Sequence, residues 1–387
     1  MQINQPDGPN KRYKLNQRAM GELMGGREKI LVVQTSFLGD VVLTTPLLSA
    51  IRRRFPSAHL AVLCTPQAKP LLEVDPDVHE ILTDDKKGDG KGWRGVWRKA
   101  KELRAQGFTI AFSPHKSFRS GLLLFLAGIP NRVGFRRSAA WFLYRHRVGR
   151  DSSRHDAERM LSLLKPFGAD PEADVGELRV VADTHAGGRV EELFRSLGVG
   201  RSGITFGINP GSVWATKRWT AEGYAALMVR LKQKYRCDIL LFGGPQDVAV
   251  VERIQRLSGN LGVSLAGRFD LRELVCAIGR CDLFITNDSG PMHIAVARGI
   301  PVVAVFCATT RSLGFYPYTS HAIVVEKDLP CRPCSSHGGR RCPLGTEDCM
   351  RLIGAEDVLR AVEKVLERHP ERTATQCDAK LPGVMTL

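Results

Sequence analysis

From Ile30 the chain alternates short aliphatic runs with longer stretches in which apolar positions recur every three to four residues. ILVVQ (30–34) precedes VVLTTPLLSAIRRRF (41–55), and HLAVLC (59–64) precedes a helical piece around AKPLLEV (68–74). Strand-like VHEIL (78–82) leads to a helix near WRGVWRKAKELRAQG (93–107) and then to TIAFS (109–113). A less regular Arg-rich region and a polar stretch, GADPEADVGELRVVADTHAGG (168–188), interrupt the rhythm. It restarts with ITFGINP (204–210), TAEGYAALMVRLKQKY (220–235), CDILLFGG (237–244) and DVAVVERIQRLSG (247–259). VSLAG (263–267), DLRELVCAIGR (270–280), DLFITND (282–288), SGPMHIAVARG (289–299) and PVVAVF (301–306) continue it. Short strands alternating with helices predict parallel sheets covered on both faces, an α/β class.

At 387 residues the chain exceeds one ordinary core and predicts two domains of about 150 to 200 residues each, with a cleft between them. The expected boundaries are 28–175 and 195–355. A mobile lead-in (1–27) precedes them, and a C-terminal helix, AEDVLRAVEKVLER, with a loose tail occupies 356–387. Local punctuation agrees, since Asp270 with Glu273 forms a capping-box pattern and Thr220 can cap the helix after Trp219.

Composition narrows the class. With 43% hydrophobic and 25% charged residues the chain reads as a soluble globular protein. No apolar run approaches the roughly 20 residues of a membrane span. The lead-in lacks the apolar core of a secretion signal, so a cytoplasmic protein is expected, and ten scattered cysteines then argue against a disulfide scaffold. The net charge of +16 is concentrated: residues 91–154 hold 15 Lys or Arg against only Glu102 and Asp151. Such a field attracts polyanions, whether nucleic acid, an anionic membrane or a phosphorylated substrate. A recognisable nucleic-acid-binding module is missing, which leaves a nucleic-acid binder as a remote reading.

Three stretches carry candidate chemistry. In QTSFLGDVVLTTPLL (34–48), Asp40 stands just beyond the first strand, where it is either a helix cap or a ligand-facing carboxylate. Pro46 favours a helix that starts only at Thr44 or Thr45, leaving Asp40 in the crossover loop at the edge where α/β sheets bind ligands. In TNDSGPMHIAVARGIPVVAVF (286–306) a strand runs through Asp288, Ser289 and Gly290 into a helix whose first amides suit a phosphate. In NPGSVWATKRW (209–219), Lys217 stands between two tryptophans and is suited to neutralising a diphosphate. Neither first strand is followed by G-x-G-x-x-G, and the chain has no G-x-x-x-x-G-K-[ST], which weakens dinucleotide and P-loop readings.

These stretches, with LAGIPNRVGF (126–135), closely resemble in order and spacing the ADP-heptose:lipopolysaccharide heptosyltransferases of glycosyltransferase family 9. The cysteine-rich CRPCSSHGGRRCPLGTEDC (331–349) looks most like the heptosyltransferase II branch. The resemblance implies a GT-B architecture, two Rossmann-like domains facing across a cleft, with acceptor on the first and nucleotide-sugar on the second. It implies that Asp40 is the general base and that Lys217, with Ser212 in the same loop, contacts the donor phosphates. Asp288, Ser289, Gly290 and His293 match the motif that holds the donor, while Asp247 aligns only loosely with an acidic donor contact. The implied donor is ADP-heptose. The implied acceptor is the Kdo-lipid A inner core at the cytoplasmic face of the inner membrane, where the enzyme would be peripheral.

Lys116, Arg119, Arg132, Arg136 and Arg137 are the expected acceptor-side cations. No cofactor or catalytic metal is required, and another GT-B transferase or an epimerase remains an alternative. Trp141 and Phe142 are expected in the core more than at a membrane. Cys331, Cys334, Cys342 and Cys349 have a spacing that admits a structural zinc site but does not demand one.

Overall fold

The computed structural model describes residues 28–170, 176–200 and 203–372, so the lead-in (1–27) and most of the expected tail lie outside the described residues. The chain divides into two compact units that meet in sequence at Glu177 and Leu178.

The first unit contains β1 (Lys29–Gln34), α1 (Leu38–Arg54), β2 (His59–Cys64), β3 (Glu80–Thr83), α2 (Gly92–Gln106), β4 (Ile110–Ser113), α3 (Phe118–Leu126), β5 (Asn131–Phe135), β6 (His146–Val148) and α4 (Asp156–Leu161). Its sheet runs β3-β2-β1-β4-β5-β6, every pairing parallel. Five of the six β1 residues are buried, as a central strand covered on both faces requires. The Arg-rich region that breaks the apolar rhythm supplies β5 and β6, whose short lengths and interspersed basic residues explain their faint signal.

The helix after β1 begins earlier than Pro46 suggests. It starts at Leu38 and carries Pro46 in its interior. A proline there strands the carbonyl four residues back, Val42. The Thr45 hydroxyl donates to that carbonyl at 2.8 Å, and Thr44 donates to the Asp40 carbonyl at 2.7 Å. The Thr45 hydroxyl thus serves the carbonyl that the proline leaves without its amide donor.

The second unit contains α5 (Thr184–Ser196), β7 (Ile204–Asn209), α6 (Ala221–Lys234), β8 (Cys237–Leu241), α7 (Val248–Leu257), β9 (Val263–Ser264), α8 (Leu271–Ile278), β10 (Leu283–Asn287), α9 (Gly290–Ala297), β11 (Val302–Phe306), β12 (Ala322–Glu326), α10 (Asp348–Arg351) and α11 (Ala355–Glu367). Its sheet order, β12-β11-β10-β7-β8-β9, repeats the first one, again wholly parallel. Thr220 accepts from the Gly223 amide and Asp270 with Glu273 forms the anticipated capping box.

The unit reaches beyond 195–355 at both ends. Val190 and Phe194 of α5 are buried, and α11 puts Val358, Val362 and Val365 into the same core as β7. The helix set apart with the tail is therefore part of this core.

Both sheets have the strand order 3-2-1-4-5-6, in which connections lead away from the first strand to either side. Ligands bind such sheets at the carboxyl ends of the two strands flanking the reversal. Those are β1 and β4 in the first unit and β7 and β10 in the second.

Candidate active site

The second unit builds the denser polar cluster. At the carboxyl end of β10, Asn287 is fully buried and works as a clamp. Its Oδ1 accepts from the Trp219 amide at 2.9 Å and the Tyr224 hydroxyl at 3.0 Å, while its Nδ2 donates to the Pro210 carbonyl at 2.7 Å. The loop after β7 is thereby tied to the end of β10. Asn209, the last residue of β7, donates to the Gly211 carbonyl, to Thr286 Oγ1 and to Ser289 Oγ within 3.3 Å.

This frame presents Lys217. Its Nζ lies 2.7 Å from Asp288 Oδ2, and both side chains are largely buried. The Thr309 hydroxyl donates to the same carboxylate oxygen at 2.7 Å, and the Ser212 hydroxyl donates to the Asp288 backbone carbonyl at 3.2 Å. Asp288 is thus a holder of Lys217. Trp219 is 3% exposed and its indole N–H donates to the Ile353 carbonyl, so it belongs to the core and does not flank the lysine as expected.

Ser289 occupies the N-cap of α9 but makes no side-chain capping bond, and Pro291 sits in the first turn. Its hydroxyl is turned to Asn209 and Thr286 instead. The amides and positive dipole end of α9 are therefore not consumed by a serine cap, the arrangement an anion site needs. His293 is buried one turn further in.

Asp247 is 4% exposed and supports this loop from below. It accepts from the Gly244 amide at 3.1 Å and lies 3.9 Å from Arg218, which donates twice to the Ser212 carbonyl. A Cβ at Gly211 would lie 2.4 Å from Asp247 Oδ2, so only glycine permits the contact.

In the first unit Asp40 follows β1, on the edge expected. It lies in the first turn of α1, not in a loop, and its Oδ2 accepts from the Phe37 amide at 3.2 Å. Asp40 is thus the third helical residue, bonded to the amide of the N-cap residue Phe37 and not itself the N-cap, and it stands at the sheet edge where ligands bind. The side chain stays partly exposed. Beside it, the buried Gln34 donates to Thr44 Oγ1 at 3.0 Å.

The anticipated cations divide. Arg119 grips Asp84 through two nitrogens at 2.8 and 3.1 Å and also donates to the Gly90 carbonyl, so it is committed to internal structure. Arg132 donates to the Leu143 and Ile129 carbonyls and stacks on Phe125. Lys116, which follows β4, and Arg136 and Arg137, which follow β5, are exposed. Partial desolvation by its surroundings, then the nearby Arg150, pulls the Lys116 ammonium below its ordinary pKa although the residue as a whole is exposed. Lys86 adds a cation that charge counting passed over, donating to the Thr35 carbonyl at 2.8 Å near the end of β1.

Sequence reasoning also missed Asn209, Asn287 and Thr309. Thr309 lies just beyond β11, the strand beside β10, so the carboxyl-edge rule had the means to find it.

Cys331, Cys334, Cys342 and Cys349 are free thiols. Among the described residues no group of three or more His, Cys, Asp or Glu is placed to hold a metal ion.

Comparison with known proteins accords with this geometry. The model of glycosyltransferase family 9 (heptosyltransferase) matches residues 96–343. Lipopolysaccharide heptosyltransferase 2 of Escherichia coli is 28% identical over 76% of this chain and 86% of its own. Lipooligosaccharide heptosyltransferase 2 of Campylobacter jejuni is 25% identical over 87% of this chain and 99% of its own. A family 9 glycosyl transferase from Veillonella parvula superposes with a TM-score of 0.78 at 27% identity, covering 88% of this chain and 98% of that one. The E. coli ADP-heptose lps heptosyltransferase II structure superposes with a TM-score of 0.71 at 23% identity, covering 88% and 99%. With two Rossmann-type units of identical strand order and a family match across more than half its length, the chain is a GT-B glycosyltransferase and belongs to family 9, the heptosyltransferases.

Proposed function

We propose that the protein transfers heptose from ADP-heptose to the inner core of lipopolysaccharide, with inversion at the anomeric carbon. In this reading the Asp40 carboxylate takes the proton of the acceptor hydroxyl. The acceptor oxygen bonds to the anomeric carbon, and the bond from that carbon to the ADP oxygen breaks. The departing diphosphate is stabilised by the Lys217 ammonium and the amides at the start of α9, a set of donors held in place before the reaction begins. Ser212, Ser289, Gly290 and His293 complete the donor side. Lys116 and Arg136 serve the acidic acceptor. Arg119 and Arg132 lose that role to their internal bonds.

The observation that carries this reading is the Lys217 and Asp288 pair at the β7/β10 reversal in a chain of this family. The relatives named heptosyltransferase 2 support the second heptose as the product, which makes heptosyl-Kdo2-lipid A the acceptor. The enzyme would work at the cytoplasmic face of the inner membrane as a peripheral protein. No described helix is long and apolar enough to cross a bilayer.

The test is transfer from ADP-heptose to heptosyl-Kdo2-lipid A beside Kdo2-lipid A. Preference for the first acceptor supports the assignment. Preference for the second moves it to first-heptose addition, and transfer only from a different nucleotide-sugar overturns the donor.

A further inference from the structure

Six of the exposed large side chains fall between residues 93 and 142: Trp93, Trp97, Phe118, Phe125, Trp141 and Phe142, each 44 to 62% exposed. Their positions are not scattered. Trp93 and Trp97 are one turn apart on α2, and Phe118 and Phe125 are two turns apart on α3, so each pair shares a helix face. The Phe142 ring centroid lies 6.4 Å from that of Phe118 and 6.1 Å from that of Trp141.

The buried faces of the two helices enter one core, the α2 tryptophans standing at its margin. Val96, Ala100 and Leu103 from α2 join Leu123 and Leu124 from α3 and Tyr144 beyond them, packed against β1, β2 and β4. The helices run alongside each other in the same direction, since Arg119 near the start of α3 bonds Gly90 just before α2, and Arg104 near the end of α2 bonds Leu126 at the end of α3. All six aromatic residues therefore lie on the solvent side of one helical layer. The expectation that Trp141 and Phe142 belong to the core fails because the short 141–143 turn spends Leu143 and Tyr144 inward and turns its first two residues outward.

An aromatic surface of this extent on a soluble domain calls for a partner. Charge selects which. The same stretch, residues 91–154, carries 15 basic and two acidic residues. Exposed Arg94 and Arg98 flank the α2 tryptophans, and the Arg147 guanidinium stacks 4.9 Å from the Trp141 ring. Aromatic rings beside exposed cations fit an interface that is apolar just beneath an anionic surface. We propose that the outer face of α2, α3 and the 141–142 turn docks on an anionic phospholipid bilayer, the rings entering the headgroup region and the arginines meeting lipid phosphates. Its purpose rests on the reading of the acceptor as lipid-anchored, but the contact is a binding event separate from transfer.

The test uses the full chain without donor or acceptor. Sedimentation is compared on vesicles of phosphatidylcholine alone and of phosphatidylcholine mixed with phosphatidylglycerol. Binding is expected on the mixed vesicles only and is weakened by salt. The double variants Trp141→Ser/Phe142→Ser and Phe118→Ser/Phe125→Ser are each expected to lose about tenfold or more in vesicle affinity while keeping wild-type ADP affinity and circular dichroism. Both variants sedimenting like the wild type would overturn the proposal. So would a loss of self-association with vesicle affinity unchanged, which would make the face a contact between protein chains. Failed vesicle binding with intact transfer to a delipidated acceptor would sink the docking surface and spare the enzymatic reading.

Discussion

Lys217 and Asp288 come from loops 71 positions apart and meet at 2.7 Å, with Thr309 donating to the same carboxylate oxygen. The carboxylate fixes the ammonium at the entrance of α9, so a diphosphate arriving there finds a cation already in position. An exposed lysine would first have to be ordered.

Removing either partner therefore has different effects. Lys217→Met is expected to weaken ADP affinity by about 10- to 100-fold, the worth of a charge-assisted hydrogen bond, and to lower turnover. Asp288→Asn keeps the shape and leaves the lysine unanchored, so turnover falls more than affinity. Calorimetric ADP titration and steady-state rates on both variants check this, and unchanged values for Lys217→Met would remove that residue from the site.

Thr45→Val tests the helix that carries Asp40. Its hydroxyl donates to the Val42 carbonyl, the group Pro46 strands, and losing that bond inside the helix is expected to cost about 1 to 2 kcal/mol. Chemical denaturation measures the loss, and ADP affinity should not change. A variant as stable as the wild type would mean that the carbonyl finds another donor.

Much of the fold was legible because its strands are central and apolar. HLAVLC coincides with β2 residue for residue. The short strands β5 and β6 were not, since NRVGF and HRV mix basic and apolar residues and carry little apolar signal, and the edge strand β12 was passed over although AIVVE is apolar. At the site, Asp40 and Lys217 could be picked from their place after a strand, but the start of α1 was misjudged because a proline in the sequence does not announce the hydroxyl that will serve its orphan carbonyl. Charge counting failed similarly for Arg119. A guanidinium bonded to Asp84, 35 positions away, looks the same in sequence as one in water.

The thiols offer a probe that needs no substrate. Backbone amides of the 344–347 turn, Glu347 foremost, hold the Cys342 thiol below its ordinary pKa. Burial pushes Cys64 up to about 12 and Cys237 up to about 11. Because the thiolate is the nucleophile, Cys342 should alkylate first near neutral pH, at a rate that rises with pH and levels off earlier than a free thiol. Cys64 and Cys237 should react only on unfolding. Peptide mass mapping after brief iodoacetamide treatment reads the order, and labelling of Cys64 before Cys342 would contradict it.

Asp40 combines two duties, accepting from the Phe37 amide and, in the proposed mechanism, receiving the acceptor's proton. Asparagine can keep the first and cannot perform the second. Single-turnover transfer from ADP-heptose by Asp40→Asn, measured beside ADP affinity, is accordingly the most direct test. The rate is expected to fall by about 10²- to 10⁴-fold with ADP affinity within about twofold of the wild type. A transfer rate near that of the wild type would contradict the assignment of Asp40 as the base.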